Sequence, residues 1–264
     1  MPRPLFFSRP TALAAAALAA GSLAGGTAGA DEWTSGHGDI GIEYDAAAGE
    51  FELHYHLEGG TVGGVSRPDE EFEPDELTVR VPDVAGQNFD SVPNGFEFIG
   101  ITPDGDSGTS DFWSLPSTDQ GDRPYIGFAT EEGFSGSDFT DIVLSLTGFS
   151  GPGEFAMWVS GINGPTALFA TSDGVSAADA FSIPEGTHNH YDMGFTALGD
   201  YAIELTATGT LAGGGTVTDT ATFNFAVGDP AAVPEPGSMA LIGLAACGLA
   251  GRTVRRRRKD AAAA

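Results

Sequence analysis

The most constraining feature of this chain is a period-two alternation of apolar and polar residues, repeated in short runs. In the segment Glu50-Phe51-Glu52-Leu53-His54-Tyr55-His56-Leu57-Glu58, the apolar Phe51, Leu53, Tyr55 and Leu57 fall on one face. Glu50, Glu52, His54, His56 and Glu58 fall on the other. That is the pattern of a half-buried strand. Leu77-Thr78-Val79-Arg80-Val81, Phe96-Glu97-Phe98-Ile99-Gly100 and Ile142-Val143-Leu144-Ser145-Leu146 repeat it, and residues 154–159 and 166–170 are shorter cases. Residues 201–207 and 220–227 read as a hairpin, with Gly213-Gly214-Gly215 as the turn. No long 3.6-residue period occurs between residues 31 and 228, where only 177–181 offers one helical turn. The chain's 39 Gly and 16 Pro punctuate the strands. The expected fold class is therefore all-β, an antiparallel β-sandwich of jelly-roll-like character. No composition break divides residues 31–228, so they read as one domain.

The two ends are a different kind of sequence. Only Arg67, Arg80 and Arg123 lie between Asp31 and Val233, against 35 of the 37 acids. So acidic a body repels polyphosphate, which excludes nucleic acid as a partner. Residues 1–30 carry Arg3 and Arg9, then an apolar stretch over 11–23, then Ala28-Gly29-Ala30 before Asp31. This is the layout of a secretory signal peptide, which implies the Sec translocon and a signal peptidase as partners. The one cysteine, Cys247, lies in the tail, so the body has neither disulfides nor thiolate metal ligands.

After residue 228 comes a Pro-rich linker, 229–237, holding Pro234, Glu235 and Pro236. Residues 238–251 are uncharged and mostly apolar, and Arg252, Arg255, Arg256, Arg257, Arg258 and Lys259 form a basic stop block. As a helix, 14 residues span roughly 21 Å, short of the roughly 30 Å hydrocarbon core. Region 238–259 is expected to be a short transmembrane helix with its basic end in the cytoplasm, held in the inner membrane only transiently.

All five histidines sit in distinctive phrases: His37 in GHGD, His54 and His56 in HYH, His188 and His190 in HNH. Alternate strand residues share a face, roughly 6.6 Å apart. Two H-x-H strands side by side would offer four imidazoles to one ion, at about 2.0–2.1 Å per Zn–N bond. Asp39, Glu52, Glu58 and Asp192 are near in sequence as ligands or orienting groups. Such a site would take Zn, Mn or Cu. Ca²⁺ is the weaker expectation, in the acid-rich stretch 67–76 or at Asp104 and Asp106, since neither matches the EF-hand loop. The sequence has no G-x-S-x-G, H-E-x-x-H or phosphate loop, so no catalytic residues are expected. Trp33, Trp113 and Trp158 are expected in the core.

Two resemblances add to this reading. The order VPEP, apolar helix, Arg cluster resembles the PEP-CTERM sorting signal of Gram-negative bacteria that make exopolysaccharide. That resemblance implies processing by an exosortase, with Pro234, Glu235 and Pro236 as the recognition element, and delivery to the cell surface or extracellular matrix. The phrases GHGDIGIEYD, LHYHLEG, LSLTGFSGPGEFAMW, GTHNHYDMGFTALGDYAIELTATGTL and DTATFNFAVG resemble a choice-of-anchor M surface domain, similar to an actinobacterial surface-anchored domain. Actinobacterial relatives are associated with metal-type ABC transporters, which implies metal handling. The leading expectation is a non-enzymatic exported surface or matrix protein that binds a divalent metal. The alternatives are a metal-capture module for an ABC importer and a His-ligated metal-dependent hydrolase or lyase.

Overall fold

The computed structural model describes residues 30–230 apart from residue 107. The expected signal peptide, residues 1–30, lies outside the described residues except for Ala30, and the PEP segment, the apolar stretch and the basic block lie wholly outside them. Within the described residues strands are the dominant regular structure, and the helical content is two short 3-10 turns at Asp83–Ala85 and Glu97–Ile99.

The longest unit is a hairpin of the Gly199–Leu211 and Thr216–Val227 strands, in register from Gly199 opposite Val227 to Thr210 opposite Thr216. Its turn uses Gly214 and Gly215 at φ 91° and 102°, a region that side chains disfavour. The Phe139–Ser150 strand flanks the hairpin antiparallel. The Leu77–Val81 strand flanks the other side parallel, and itself runs parallel to Asp31, Glu32 and Trp33. Three neighbouring strands, one of them the first of the described chain and one the last, thus point the same way. The all-antiparallel expectation is corrected to a mixed topology. Parallel neighbours need long crossovers, and the intervening sequence supplies them.

The Asp31–Asp45 strand serves two sheets. Gly36 sits at φ 87°, and a Cβ there would lie 2.3 Å from the Gly59 carbonyl oxygen. Beyond this bend the strand pairs antiparallel with Glu50–Leu57 and parallel with Pro124–Ala129. Glu70–Phe72 adds to the outside of Glu50–Leu57, and His188–His190 to the outside of Pro124–Ala129. A separate five-stranded sheet runs Gly164–Ala170, Phe155–Gly161, Asp192–Phe195, Phe112–Leu115, Gly86–Gln87.

Aromatic rings join the layers into an all-β sandwich. The Phe195 ring centre lies 4.9 Å from Tyr201 and 5.3 Å from both Phe155 and Phe225. Tyr55, on the histidine strand, packs edge-on against Phe223 of the hairpin at 5.0 Å. Trp33, Trp113 and Trp158 are all buried, as the sequence led us to expect.

Two local expectations are corrected. Residues 96–100 form no strand: Glu97–Ile99 is a 3-10 turn, closed by the Gly100 N–H on the Glu97 carbonyl with Gly100 at φ 78°. Phe96 and Phe98 both pack on Trp158, at 5.8 and 6.1 Å, so the segment covers that ring rather than joining a ladder. Residues 177–181 are not a helical turn. The Ser176 N–H donates to the Asp179 carboxylate, closing a tight turn, and Ala180–Ser182 then pairs with Phe139–Ser150.

Candidate metal centre

Directly opposed residues on neighbouring strands present their side chains to the same face. His54 stands opposite Gly41, Gly41 opposite Ala129, and Ala129 opposite His188. The next row reads Glu71, His56, Asp39, Gly127, His190. His37 stands opposite Tyr125 one row further on. All five histidines and Asp39 therefore share one face of one sheet. Here the alternation seen in the sequence places the side chains correctly.

The two H-x-H strands are not adjacent, however. The Asp31–Asp45 and Pro124–Ala129 strands lie between them, and three strand steps of about 4.8 Å put the pairs roughly 14 Å apart. The expectation that His54, His56, His188 and His190 share one ion is corrected. His188 and His190 instead meet His37 and Asp39.

In this group the Nε2 atoms of His37 and His190 lie 3.2 Å apart, and those of His188 and His190 3.0 Å apart. Asp39 Oδ1 is 3.0 Å from His188 Nε2 and 3.8 Å from His37 Nε2. For Zn–N bonds of about 2.0–2.1 Å a tetrahedron has edges of about 3.3 Å, close to these separations. Asp39 is 2% exposed and its Oδ1 makes no hydrogen bond among the described residues, despite the three imidazoles around it. A buried carboxylate oxygen without a donor is costly. Burial pushes the Asp39 carboxyl above its usual range, and the His188 and His37 charges offset only part of that. Burial also pushes His190 down to about 4, leaving it neutral and free to donate a lone pair at neutral pH.

An outer carboxylate orients the His37 ring, and a second lies farther from His188. His37 Nδ1 lies 3.0 Å from Glu58 Oε2, and His188 Nδ1 lies 3.7 Å from Glu131 Oε2. A carboxylate within hydrogen-bond reach behind an imidazole fixes its orientation and raises its basicity, which applies to His37 at 3.0 Å and not to His188 at 3.7 Å. Tyr125 stacks flat on His190 at 3.7 Å, and His37 lies parallel to His188 at 5.2 Å. The room for these groups comes from Gly127. A Cβ there would fall 2.0 Å from Asp39 Oδ1, 3.0 Å from His190 Cε1 and 3.1 Å from His188 Nε2.

Residues 232–259 match the PEP-CTERM protein-sorting motif. No curated protein matches the chain. The PEP-CTERM match takes in Pro234, Glu235, Pro236 and the basic block from Arg252 to Lys259, and agrees with the reading of the tail. It implies export and membrane-associated sorting toward the cell surface, with exosortase processing. The PEP-CTERM segment lies outside the described residues, so the strands and the histidine face belong to what the motif delivers.

The other expected groups fall elsewhere. His56 Nδ1 lies 2.7 Å from Glu132 Oε1 and its Nε2 lies 3.0 Å from Asp69 Oδ1, while His54 Nε2 lies 3.7 Å from Glu132 Oε2. Glu52 stands opposite Glu43, away from the His37 group. Asp192 accepts from Ser117 N–H and the Ser160 hydroxyl on the five-stranded sheet. Asp104 accepts from the Asp106 N–H and the Thr109 hydroxyl, and the Thr109 bond holds its carboxyl below the usual range. That loop satisfies its own carboxylates, so its geometry gives no argument for Ca²⁺. Sequence reasoning missed Gly127, Tyr125, Glu131 and Glu132. A glycine has no donor atom to draw attention, and the two glutamates were two among many acids.

Proposed function

We propose that this is a non-enzymatic, exosortase-sorted surface or matrix protein whose β-sandwich binds a divalent transition metal through His37, Asp39, His188 and His190. The observation that carries the reading is the buried Asp39 Oδ1, without a hydrogen bond among the described residues, at 3.0 and 3.8 Å from His188 and His37 Nε2, with His190 Nε2 at 3.0 and 3.2 Å from those two nitrogens. Three nitrogens and one oxygen suit Zn²⁺, with Cu²⁺ and Mn²⁺ as weaker fits. Four protein ligands fill a tetrahedral shell and leave no position for a substrate, which favours a binding or structural role over a hydrolase or lyase. The choice-of-anchor phrases agree with a surface domain carrying an exchangeable C-terminal signal.

A capture role beside an ABC importer is the second reading. It is favoured by the partial exposure of His37 and His188, at 26% and 24%, which lets an ion arrive from solvent.

Calorimetric titration of the chelator-treated full chain with Zn²⁺ tests the proposal. Saturable binding should weaken by at least about tenfold in D39N and in H188Q. Affinity that is unchanged in both variants would remove the site.

A further inference from the structure

The same sheet face carries a second group that the first site does not use. His54 is 4% exposed, and neither of its ring nitrogens has a hydrogen-bond partner among the described residues. A fully unpartnered imidazole in a protein interior is rare, since at least one nitrogen normally finds a donor or acceptor. Its Nε2 faces Glu132 Oε2 at 3.7 Å, too long for a hydrogen bond. Glu71 brings a third donor atom, and the three atoms lie within 4.8 Å of one another.

The three side chains come from separate parts of the chain, each held by backbone. His54 lies on the Glu50–Leu57 strand, and Glu71 on the short strand paired to it. Glu132 follows the Pro124–Ala129 strand, and its carbonyl accepts from the Tyr44 N–H. Space for the imidazole comes from Gly41, where a Cβ would lie 2.6 Å from His54 Nε2.

Acids outnumber bases around the group, and no arginine among the described residues answers them. Burial and then the Glu132 charge push the Glu43 carboxyl above its usual range, and the His54 charge offsets only part of that. Arg67, Arg80 and Arg123 are committed to Glu70, Glu32 and Asp122. His56 bridges Glu132 and Asp69 from the side.

We propose that His54, Glu71 and Glu132 form a second divalent-cation site on the same sheet face, independent of the His37 group. One nitrogen and two carboxylates make a harder donor set than three nitrogens and one carboxylate, so this site favours Mn²⁺ relative to the first. Three protein ligands leave coordination positions to water. His56 acts as a positioning residue that holds Glu132.

The test uses the chelator-treated full chain, titrated with Mn²⁺ and followed by its EPR signal, with and without one equivalent of Zn²⁺ already bound. Wild type should take up Mn²⁺ after the first equivalent of Zn²⁺. E132Q should lose that Mn²⁺ uptake while keeping the Zn²⁺ equivalent. H54Q should do the same. Because His54 is buried, E132Q, at a side chain 32% exposed, carries the test if H54Q fails to fold. H188Q should lose the Zn²⁺ equivalent and retain the Mn²⁺ site. Mn²⁺ uptake that survives E132Q, or a wild type that binds a single equivalent in all, overturns the second site. Loss of binding in E132Q with none in H188Q would overturn the first site and leave the second standing.

Discussion

The Nε2 atoms of His37 and His190 lie 3.2 Å apart although 153 positions separate them in the chain. Two ladders make that contact. The Pro124–Ala129 strand lies between the two histidine strands and leaves its own place at the centre, Gly127, without a side chain.

Gly127 is accordingly a sensitive position of the proposed His37 site although it carries no donor atom. In G127A the new methyl would clash with Asp39 Oδ1, 2.0 Å away, and press on His188 and His190. Zn²⁺ affinity should fall by about tenfold or more, because a ligand sphere tolerates displacements of only about 0.5 Å. Calorimetry beside a circular dichroism spectrum that retains its β signature would check this.

Phe195 joins the five-stranded sheet to the hairpin through Tyr201 and Phe225. Phe195→Ala should cost about 3–5 kcal/mol, the range for truncating a buried phenylalanine. Urea denaturation should show an earlier midpoint with little change in slope.

Tyr201 sets an alkaline limit on stability. Its hydroxyl donates to the Ala197 carbonyl at 2.9 Å, and burial raises its pKa from 10.0 to about 12. The folded state keeps the phenolic proton that the unfolded chain gives up from about pH 10. This contribution is full below pH 10 and disappears between about pH 10 and 12, amounting to about 3 kcal/mol at 1.36 kcal/mol per unit. Denaturation at pH 9 and 11.5 should show that loss in wild type and a smaller one in Y201F.

The proposed sorting runs through the PEP segment within the matched residues 232–259, which sets an expectation for its glutamate. Glu235→Ala should leave full-length-tailed protein in the inner membrane. Intact mass of the surface form should lack residues 1–30 and the region after the PEP segment in wild type. A surface form retaining residues 238–264 would contradict exosortase processing.

How far the sequence reveals this molecule depends on whether a feature is local. The hairpin of Gly199–Leu211 and Thr216–Val227 was legible because two long alternating runs flank a glycine turn. The shared histidine face was legible because H-x-H fixes both rings on one side of a strand. Which strands stand next to which was not. The parallel pairing of Gly36–Gly41 with Pro124–Ala129 joins segments about 90 positions apart, and nothing in either run names its partner. That pairing divides the histidines three and two. Phe96 and Phe98 misled for a related reason: alternation tells which side chains share a face, not whether a ladder is there to receive them.

The three strands that run the same way bear on how the domain carries load. The described chain begins at one end of the trio, beside Leu77, and leaves at the other, where the Gly228 N–H donates to the Val81 carbonyl. Tension between the two ends would slide the first and last strands in opposite directions past Leu77–Val81. Hydrogen bonds loaded in this way must give together, whereas a peeled hairpin yields them one at a time. Stretched by its termini, the domain should therefore resist until a single abrupt rupture, which a force–extension trace would display as one tall peak.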